Sequence, residues 1–315
     1  MKKKKLRIVF FGTPEFAVCS LDRLVKEGYD IAAVITMPDK IAGRGHKLIE
    51  SYVKKYAVAN NIPVLQPEKL KDPLFIEELK KINADLFIVI AFRMLPEIVW
   101  RMPPEGTFNL HASLLPKYRG AAPINWAVIN GERETGVTTF FLKHEIDTGD
   151  IIEQRKIIIE PEDNVGHIHD KLMEIGAEMV VDTVKKIENG EVNTLPQPAG
   201  DFIPAPKIFK ETCKINWNNS STAIHNFVRG LSPYPGAWTT MMYGGKETEI
   251  KLFKTGLKPE ITEQEGFPGT LVKLKNNLYV LTGDGWLEIL ELQAAGKKRM
   301  SASEFLRGYN PERFI

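Results

Sequence analysis

The chain has 315 residues, of which 43% are hydrophobic and 26% charged, and its net charge is +2. This composition is typical of globular proteins, excludes a strongly basic or disordered chain, and allows two domains with separate cores. No run of about eighteen apolar residues occurs, so no transmembrane helix is expected. Cys19 and Cys213 stand far apart and suit a reducing compartment, so we expect a cytoplasmic protein. We also expect a monomer and no membrane partner.

The N-terminal part of the chain alternates predicted strands and helices. An apolar run ends at Gly12, and Pro14 suits the first turn of the helix that follows and stops at Gly28. The pattern predicts strands at 6–11, 31–36, 63–65, 84–91, 106–111, 137–142 and 151–159, and further helices at 50–59, 74–82, 96–101 and 164–188. Strand-helix-strand units of this length imply a mostly parallel, Rossmann-like sheet in an α/β fold.

The pattern changes after residue 190. Residues 191–206 contain four prolines without periodicity and are predicted to form an extended linker. A helix is predicted at 221–231, and short β-rich runs follow at 248–254, 269–273, 278–282 and 287–293. The sequence therefore predicts a catalytic domain at 1–190, a linker at 191–206, and at 207–315 a smaller, β-rich, OB-like barrel. Residues 207–315 hold fifteen Lys and Arg against eleven Asp and Glu, a bias too weak to establish RNA binding alone.

A polar pair ends the predicted strand at 106–111. Asn109 and His111 share parity, so they face the same way on an extended strand. A later turn at 145–150 supplies carboxylates, Asp147 among them. An amide, an imidazole and a carboxylate together can handle protons, although a satisfied histidine at a strand end is the alternative. No metal is expected, because no second His or Cys has ligand spacing.

Two loops follow predicted strands and could meet a ligand. Gly12-Thr13-Pro14 lacks the G-x-G-x-x-G fingerprint, so a nicotinamide cofactor is not expected. The loop at 37–47 mixes glycines with Lys40, Arg44, His46 and Lys47. It could grip phosphates, and it could equally be a solvated surface loop.

Seven longer motifs extend these observations. They are FFGTPEF at 10–16, PD with AGRG at 38–45, NLHASLLP at 109–116, RGAAPI at 119–124, ETGVT at 134–138, DTGD at 147–150, and AGKK with MSA at 295–302. Together they resemble the methionyl-tRNA formyltransferases, within the wider family that uses 10-formyltetrahydrofolate. The resemblance spans essentially the whole chain and implies the formyltransferase fold.

The resemblance also implies a reaction and its residues. A formyl group would pass from 10-formyltetrahydrofolate to the amino group of methionyl-initiator tRNA, which gives N-formylmethionyl-tRNA for translation initiation. It implies catalysis by Asn109, His111 and Asp147, folate binding by Ser113, Leu114, Leu115, Pro116, Phe92 and Met94, tRNA contacts by Phe16, Lys40, Arg44 and Lys47, and no metal. Residues 90–96 and 140–145 depart from the family pattern, which has a longer Gly-containing turn and a Met- and Gly-containing run there.

Other functions share part of this pattern. A nucleotide-sugar formyltransferase or a glycinamide ribonucleotide formyltransferase would share the Asn, His and Asp. The glycinamide ribonucleotide enzymes normally lack a C-terminal β domain, and the AGRG loop and the length of the C-terminal domain disfavour a nucleotide-sugar enzyme. A formyltetrahydrofolate hydrolase would need no RNA surface. A non-catalytic tRNA-binding protein would not need the Asn, His and Asp.

Overall fold

The computed structural model describes residues 5–42, 47–198, 200, 202–257, 261 and 266–315. The chain folds into two compact units that do not follow chain order. The first unit spans Met1–Gly120, Gly136–Ile157 and His169–Pro204, and the second spans Ala121–Thr135, Ile158–Ile168 and Ala205–Ile315. The second unit therefore takes two segments from the range 1–190, which the sequence predicts as one domain.

Strands and helices alternate along the first two hundred or so residues. The strands are β1 (Arg7–Gly12), β2 (Asp30–Ile35), β3 (Lys40–Ala42), β4 (Lys47–Ile49), β5 (Val64–Leu65), β6 (Leu86–Ile90), β7 (Thr107–His111), β8 (Arg119–Gly120), β9 (Glu134–Phe141) and β10 (Ile151–Ile158). The helices are α1 (Glu15–Lys26), α2 (Tyr52–Ala59), α3 (Pro73–Ile82), α4 (Glu97–Trp100), α5 (Pro123–Ile129) and α6 (Val165–Asn189). None of the helices in the described ranges is both long and apolar enough to cross a bilayer.

Seven of these strands form one sheet in the order β10-β9-β7-β6-β1-β2-β5. β1 pairs in parallel with β2 and β6, β6 pairs in parallel with β7, and β9 runs antiparallel to β7. The prediction of an α/β fold with a mostly parallel sheet is confirmed. Gly12 lies beside Ile90, and Ile90 beside Leu110, so the carboxyl ends of three strands meet at one edge. Ligand sites in such sheets form at that edge.

The second unit is built on antiparallel strands. From residue 204 onward the elements are β11 (Pro204–Ala205), α7 (Ser221–Gly230), β12 (Ala237–Tyr243), β13 (Lys246–Gly256), β14 (Leu271–Leu274), β15 (Asn277–Leu281), β16 (Trp286–Ala294), β17 (Met300–Ser301), α8 (Ala302–Phe305) and β18 (Arg313–Phe314). The sheet runs β14-β15-β16-β13-β12-β18. An isolated bridge between Thr270, next to β14, and Arg313 on β18 links the two ends of this sheet.

Helix α5 explains why residues 121–135 belong to the second unit. Ile129 packs against the buried core of that unit, and the Asn125 side chain donates a 2.9 Å hydrogen bond to the carbonyl of Gly230 on α7. A Cβ at Gly230 would lie 2.5 Å from Ile129 Cγ1, so the two helices approach as closely as only glycine allows. A local sequence pattern predicts a helix but not which core it will pack against.

A buried histidine in the second unit is expected to make its stability depend on pH. His225 on α7 is 9% exposed, and its Nδ1 lies 2.9 Å from Thr255 Oγ1. Burial lowers the pKa of His225 below its ordinary value, and nearby Arg229 lowers it further, while Glu162 acts in the opposite direction. The unfolded chain therefore binds a proton at His225 more readily than the folded chain does, so protonation favours unfolding.

The pKa of histidine in the unfolded chain is about 6.5. We expect the contribution of His225 to the free energy of unfolding to be fully retained above this pH and to be lost as the pH falls below it. Urea unfolding, followed by tryptophan fluorescence between about pH 7.5 and about pH 5.5, measures this change. The variant His225→Gln should show a shallower decline over that range, because it carries no group that titrates there. Equal pH dependence in the variant and the wild type would remove His225 as the cause.

Candidate active site

Asn109 and His111 lie two residues apart on β7 and share one face of the strand. Asn109 stands beside Val89 of β6 and opposite Phe140 of β9, and His111 stands opposite Thr138. His111 is 7% exposed, whereas Asn109 is half-buried. Within the described residues the Asn109 carboxamide makes no hydrogen bond, so its N–H groups are available to a substrate.

The protonation pattern of the His111 ring follows from its contacts. Its Nε2 lies 2.9 Å from the backbone carbonyl oxygen of Tyr118. A carbonyl can only accept, so Nε2 carries a proton and donates it to this bond. The other nitrogen, Nδ1, faces Asp147, with 3.9 Å between Nδ1 and Oδ2. At that distance the two groups interact electrostatically without a direct hydrogen bond.

Asp147 lies in the loop that connects β9 to β10. Its backbone is left-handed, with φ at 54°, and its Oδ2 accepts a 3.0 Å hydrogen bond from the backbone N–H of Gly120. Its side chain is 15% exposed. A left-handed aspartate is uncommon and is retained only where surrounding contacts hold it. The loop therefore places the carboxylate against His111 rather than leaving it in solvent.

The Asp-Thr-Gly-Asp motif has a steric reason for its glycine. A Cβ added at Gly149 would lie 1.6 Å from the carbonyl oxygen of Phe141 and 3.0 Å from the Phe140 ring. The loop can therefore fold back onto the end of β9 only when residue 149 has no side chain. This close approach helps to set the path of the chain at Asp147.

The segment predicted to bind folate is held by a buried hydroxyl. Thr138 Oγ1 donates to the carbonyl of Ser113 at 2.6 Å and accepts from the N–H of Leu115 at 3.2 Å. Gln154 Nε2 donates to the carbonyl of Leu115 at 2.9 Å. The side chains of Ser113 and Leu115 are buried, whereas those of Leu114 and Pro116 are half-buried. Folate binding by this segment stays a prediction.

Phe92 and Met94 follow β6 at the same edge of the sheet. The Phe92 ring packs against Phe11, with 5.7 Å between centroids, and Met94 is 63% exposed. Between them, Arg93 donates a 2.7 Å hydrogen bond to the carbonyl of Glu68 and so fixes the turn. Their predicted contact with folate also stays a prediction.

The residues predicted to contact tRNA fall in different places. Phe16 is 7% exposed and packs edge-on against His169, so its surroundings do not favour direct RNA contact. Lys40 is exposed at the start of β3, which pairs antiparallel with β4. Lys47 lies on β4, while Arg44 and His46 lie outside the described residues.

Three positions at the site were missed by sequence reasoning. Tyr118 supplies the carbonyl that orients His111, and Gly120 supplies the N–H that binds Asp147. Gln197 donates to the carbonyls of Asp147 and Gly149. The RGAAPI motif flags the surroundings of Gly120, but no pattern in the sequence indicates Gln197. Within the ranges that the structure covers, no group of three His, Cys, Asp or Glu side chains could hold a metal ion.

Comparison with known proteins shows the family to which the chain belongs. The family model "Formyl transferase" matches residues 6–184, and "Formyl transferase, C-terminal domain" matches residues 207–310. A methionyl-tRNA formyltransferase of Bacteroides fragilis is 55% identical over 316 residues, which cover 98% of this chain and 97% of that protein. Its counterpart from Flavobacterium johnsoniae is 52% identical, with 97% of this chain covered and 96% of that protein.

Solved structures agree at the level of the fold. The sugar 3N-formyl transferase WlaRD, in the presence of dTDP and 5-N-formyl-THF, has a TM-score of 0.65 at 22% identity, covering 94% of this chain and 100% of that one. HypX from Aquifex aeolicus, in complex with tetrahydrofolic acid, has a TM-score of 0.64 at 21% identity, covering 96% of this chain and 47% of that one. The chain belongs to the formyl transferase family, among the methionyl-tRNA formyltransferases.

Proposed function

We propose that the chain transfers a formyl group from 10-formyltetrahydrofolate to the amino group of methionyl-initiator tRNA in the cytoplasm. The observation that carries the proposal is the match to methionyl-tRNA formyltransferases, which extends over 98% of the chain at 55% identity and so includes both units. The donor is supported by two related structures, one determined in the presence of 5-N-formyl-THF and one in complex with tetrahydrofolic acid. The arrangement of Asn109, His111 and Asp147 is chemically suited to acyl transfer.

The reaction makes one bond and breaks another at the same carbon. The methionyl amino nitrogen attacks the formyl carbon, and the carbonyl oxygen becomes an oxyanion. When the oxyanion collapses, the bond from the formyl carbon to the folate nitrogen breaks. The amino group loses a proton, and the folate nitrogen gains one. The site therefore has to stabilise an oxyanion and move a proton.

Asn109 and His111 are suited to stabilise the oxyanion. The Asn109 carboxamide has donors that make no hydrogen bond within the described residues. Because His111 Nε2 is held by the carbonyl of Tyr118, only a protonated ring could donate to a substrate, and it would do so from Nδ1. The Asp147 carboxylate, 3.9 Å from Nδ1, would stabilise the positive ring and, through water, take the proton of the attacking amine.

A formyl-transfer assay with three acceptors tests this function. The full chain and 10-formyltetrahydrofolate are incubated with methionyl-initiator tRNA, with the same tRNA uncharged, and with methionyl-elongator tRNA. We expect N-formylmethionine on the first acceptor, none on the second, and much slower transfer to the third. Equal rates on initiator and elongator tRNA would contradict the initiator specificity. Transfer to a nucleotide sugar in place of charged tRNA would overturn the proposed acceptor.

A further inference from the structure

The segment after α6 lies between the two family matches, which end at residue 184 and resume at residue 207. Its proline content predicts a linker, yet the described part of it pairs with the first unit. Leu195 exchanges backbone hydrogen bonds with Ile151 at the start of β10, at 2.8 and 2.9 Å. The pairing places the next residues of the segment beside the loop that carries Asp147.

Gln197 uses its whole carboxamide at this position. Its Nε2 donates to the carbonyl of Asp147 at 2.8 Å and to the carbonyl of Gly149 at 2.9 Å. Its Oε1 accepts from Arg119 Nε at 3.1 Å and from Arg119 Nη2 at 2.6 Å. The side chain is half-buried, so water competes only in part for the groups that make these four hydrogen bonds.

The contacts form a closed chain around the carboxylate. Arg119 is followed by Gly120, whose N–H donates to Asp147 Oδ2. Gln197 ties Arg119 to the backbone of Asp147 and thus completes the circuit. The carbonyls of Asp147 and Gly149 are both anchored, which restrains the peptide planes that follow these two residues. The left-handed backbone of Asp147, with φ at 54°, needs such support.

We propose that Gln197 is a positioning residue for the formyl transfer reaction, and that it acts by holding Asp147 against His111. Its catalytic consequence rests on the proposed function, whereas its effect on the loop does not. The hydrogen bonds that the structure describes for Gln197 reach Arg119, Asp147 and Gly149 and not Asn109 or His111, so its removal should act mainly on the placement of Asp147. Misplacement of a catalytic group by about 1 Å can cost about a hundredfold in rate.

Three variants separate the parts of the contact. Gln197→Ala removes every bond of the carboxamide. Gln197→Glu keeps an acceptor for Arg119 but cannot donate to the two carbonyls. Leu195→Ala is the matched control, because that side chain is 68% exposed and its pairing with Ile151 uses backbone atoms alone. We expect both Gln197 variants to lower kcat about tenfold to a hundredfold, with little change in KM for either substrate, and the control to remain near wild type.

A double-mutant cycle and hydrogen–deuterium exchange decide the mechanism of this effect. In an Asp147→Ala background, Gln197→Ala should cost little more, because the group that it positions is already gone. Exchange of the backbone amides at 142–150 should be faster in Gln197→Ala than in Leu195→Ala or the wild type. Full additivity with Asp147→Ala, or unchanged exchange in this loop, would overturn the proposal. The exchange measurement does not depend on the acceptor. A failed assay with charged tRNA would therefore reject the proposed function, while the exchange result would still decide whether Gln197 holds the loop.

Discussion

Replacing His111 with alanine is expected to lower kcat for formyl transfer about a hundredfold to a thousandfold, the size of the loss when one oxyanion donor is removed. The ring is buried and its Nε2 is fixed by the carbonyl of Tyr118, so its Nδ1 is held in one direction, toward Asp147. Alanine removes both nitrogens. Asn109→Ala and Asp147→Ala should cause losses of similar order, measured as kcat under saturating folate and charged tRNA.

The three losses should not add. His111 and Asp147 depend on each other, because the carboxylate would stabilise the charged ring, so the double variant should be slowed by less than the product of the two single losses. His144→Ala is the control, because this histidine is 85% exposed and lies outside the site. The urea midpoint of each variant shows whether the fold is intact. Near-normal turnover in a folded His111→Ala would remove the ring from the mechanism.

The sheet and the polar pair could be predicted because their signals are local. The apolar runs of β1 and β6 are buried along nearly their whole length, and the parity of Asn109 and His111 places them on one face of β7. Strand β12 was missed because its Thr-Thr and Met-Met pairs hide the alternation of buried and half-buried positions. Regular periodicity predicts an element well, and paired like residues obscure it.

The contacts that complete the site are not local. Asp147 reaches His111 because Gly149 lets its loop fold back, and sequence spacing alone does not encode that path. Gln197 binds backbone carbonyls, which every residue has, so no partner pattern could indicate it. Likewise, the pattern of α5 predicts nothing about the core that Ile129 joins. The family resemblance indicated Asp147, but it indicated neither Gln197 nor the core that Ile129 joins.

Arg44 is the residue for which we expect the largest effect on the choice of acceptor. It lies outside the described residues, but the chain on either side is tied down. Strands β3 and β4 pair from Lys40 with Ile49 to Ala42 with Lys47. Before β3, Asp39 binds the ammonium of Lys54 and accepts a 2.8 Å hydrogen bond from Gln66, and the bond from Lys54 lowers the pKa of the Asp39 carboxyl. The described residues on either side of Arg44 are therefore paired with each other, and Asp39 ties them to the first unit.

Family resemblance implies that initiator tRNA is distinguished partly by a weakened pair at the end of its acceptor stem. A guanidinium can hold phosphates or a base edge through two bonds, whereas a lysine attracts phosphates without regard to sequence. A bidentate contact is worth roughly 1–3 kcal/mol, so Arg44→Ala should lower kcat/KM for methionyl-initiator tRNA about tenfold to a few hundredfold. Arg44→Ala should also reduce the ratio of kcat/KM for methionyl-initiator tRNA to that for methionyl-elongator tRNA, with little change in folate binding. Lys40→Ala, on β3, is the matched control. It should weaken the binding of both tRNAs about equally and make that binding less dependent on salt concentration. If Arg44→Ala left both the rate and the preference unchanged, Arg44 would have no part in substrate selection, and acceptor choice would have to arise elsewhere in the chain.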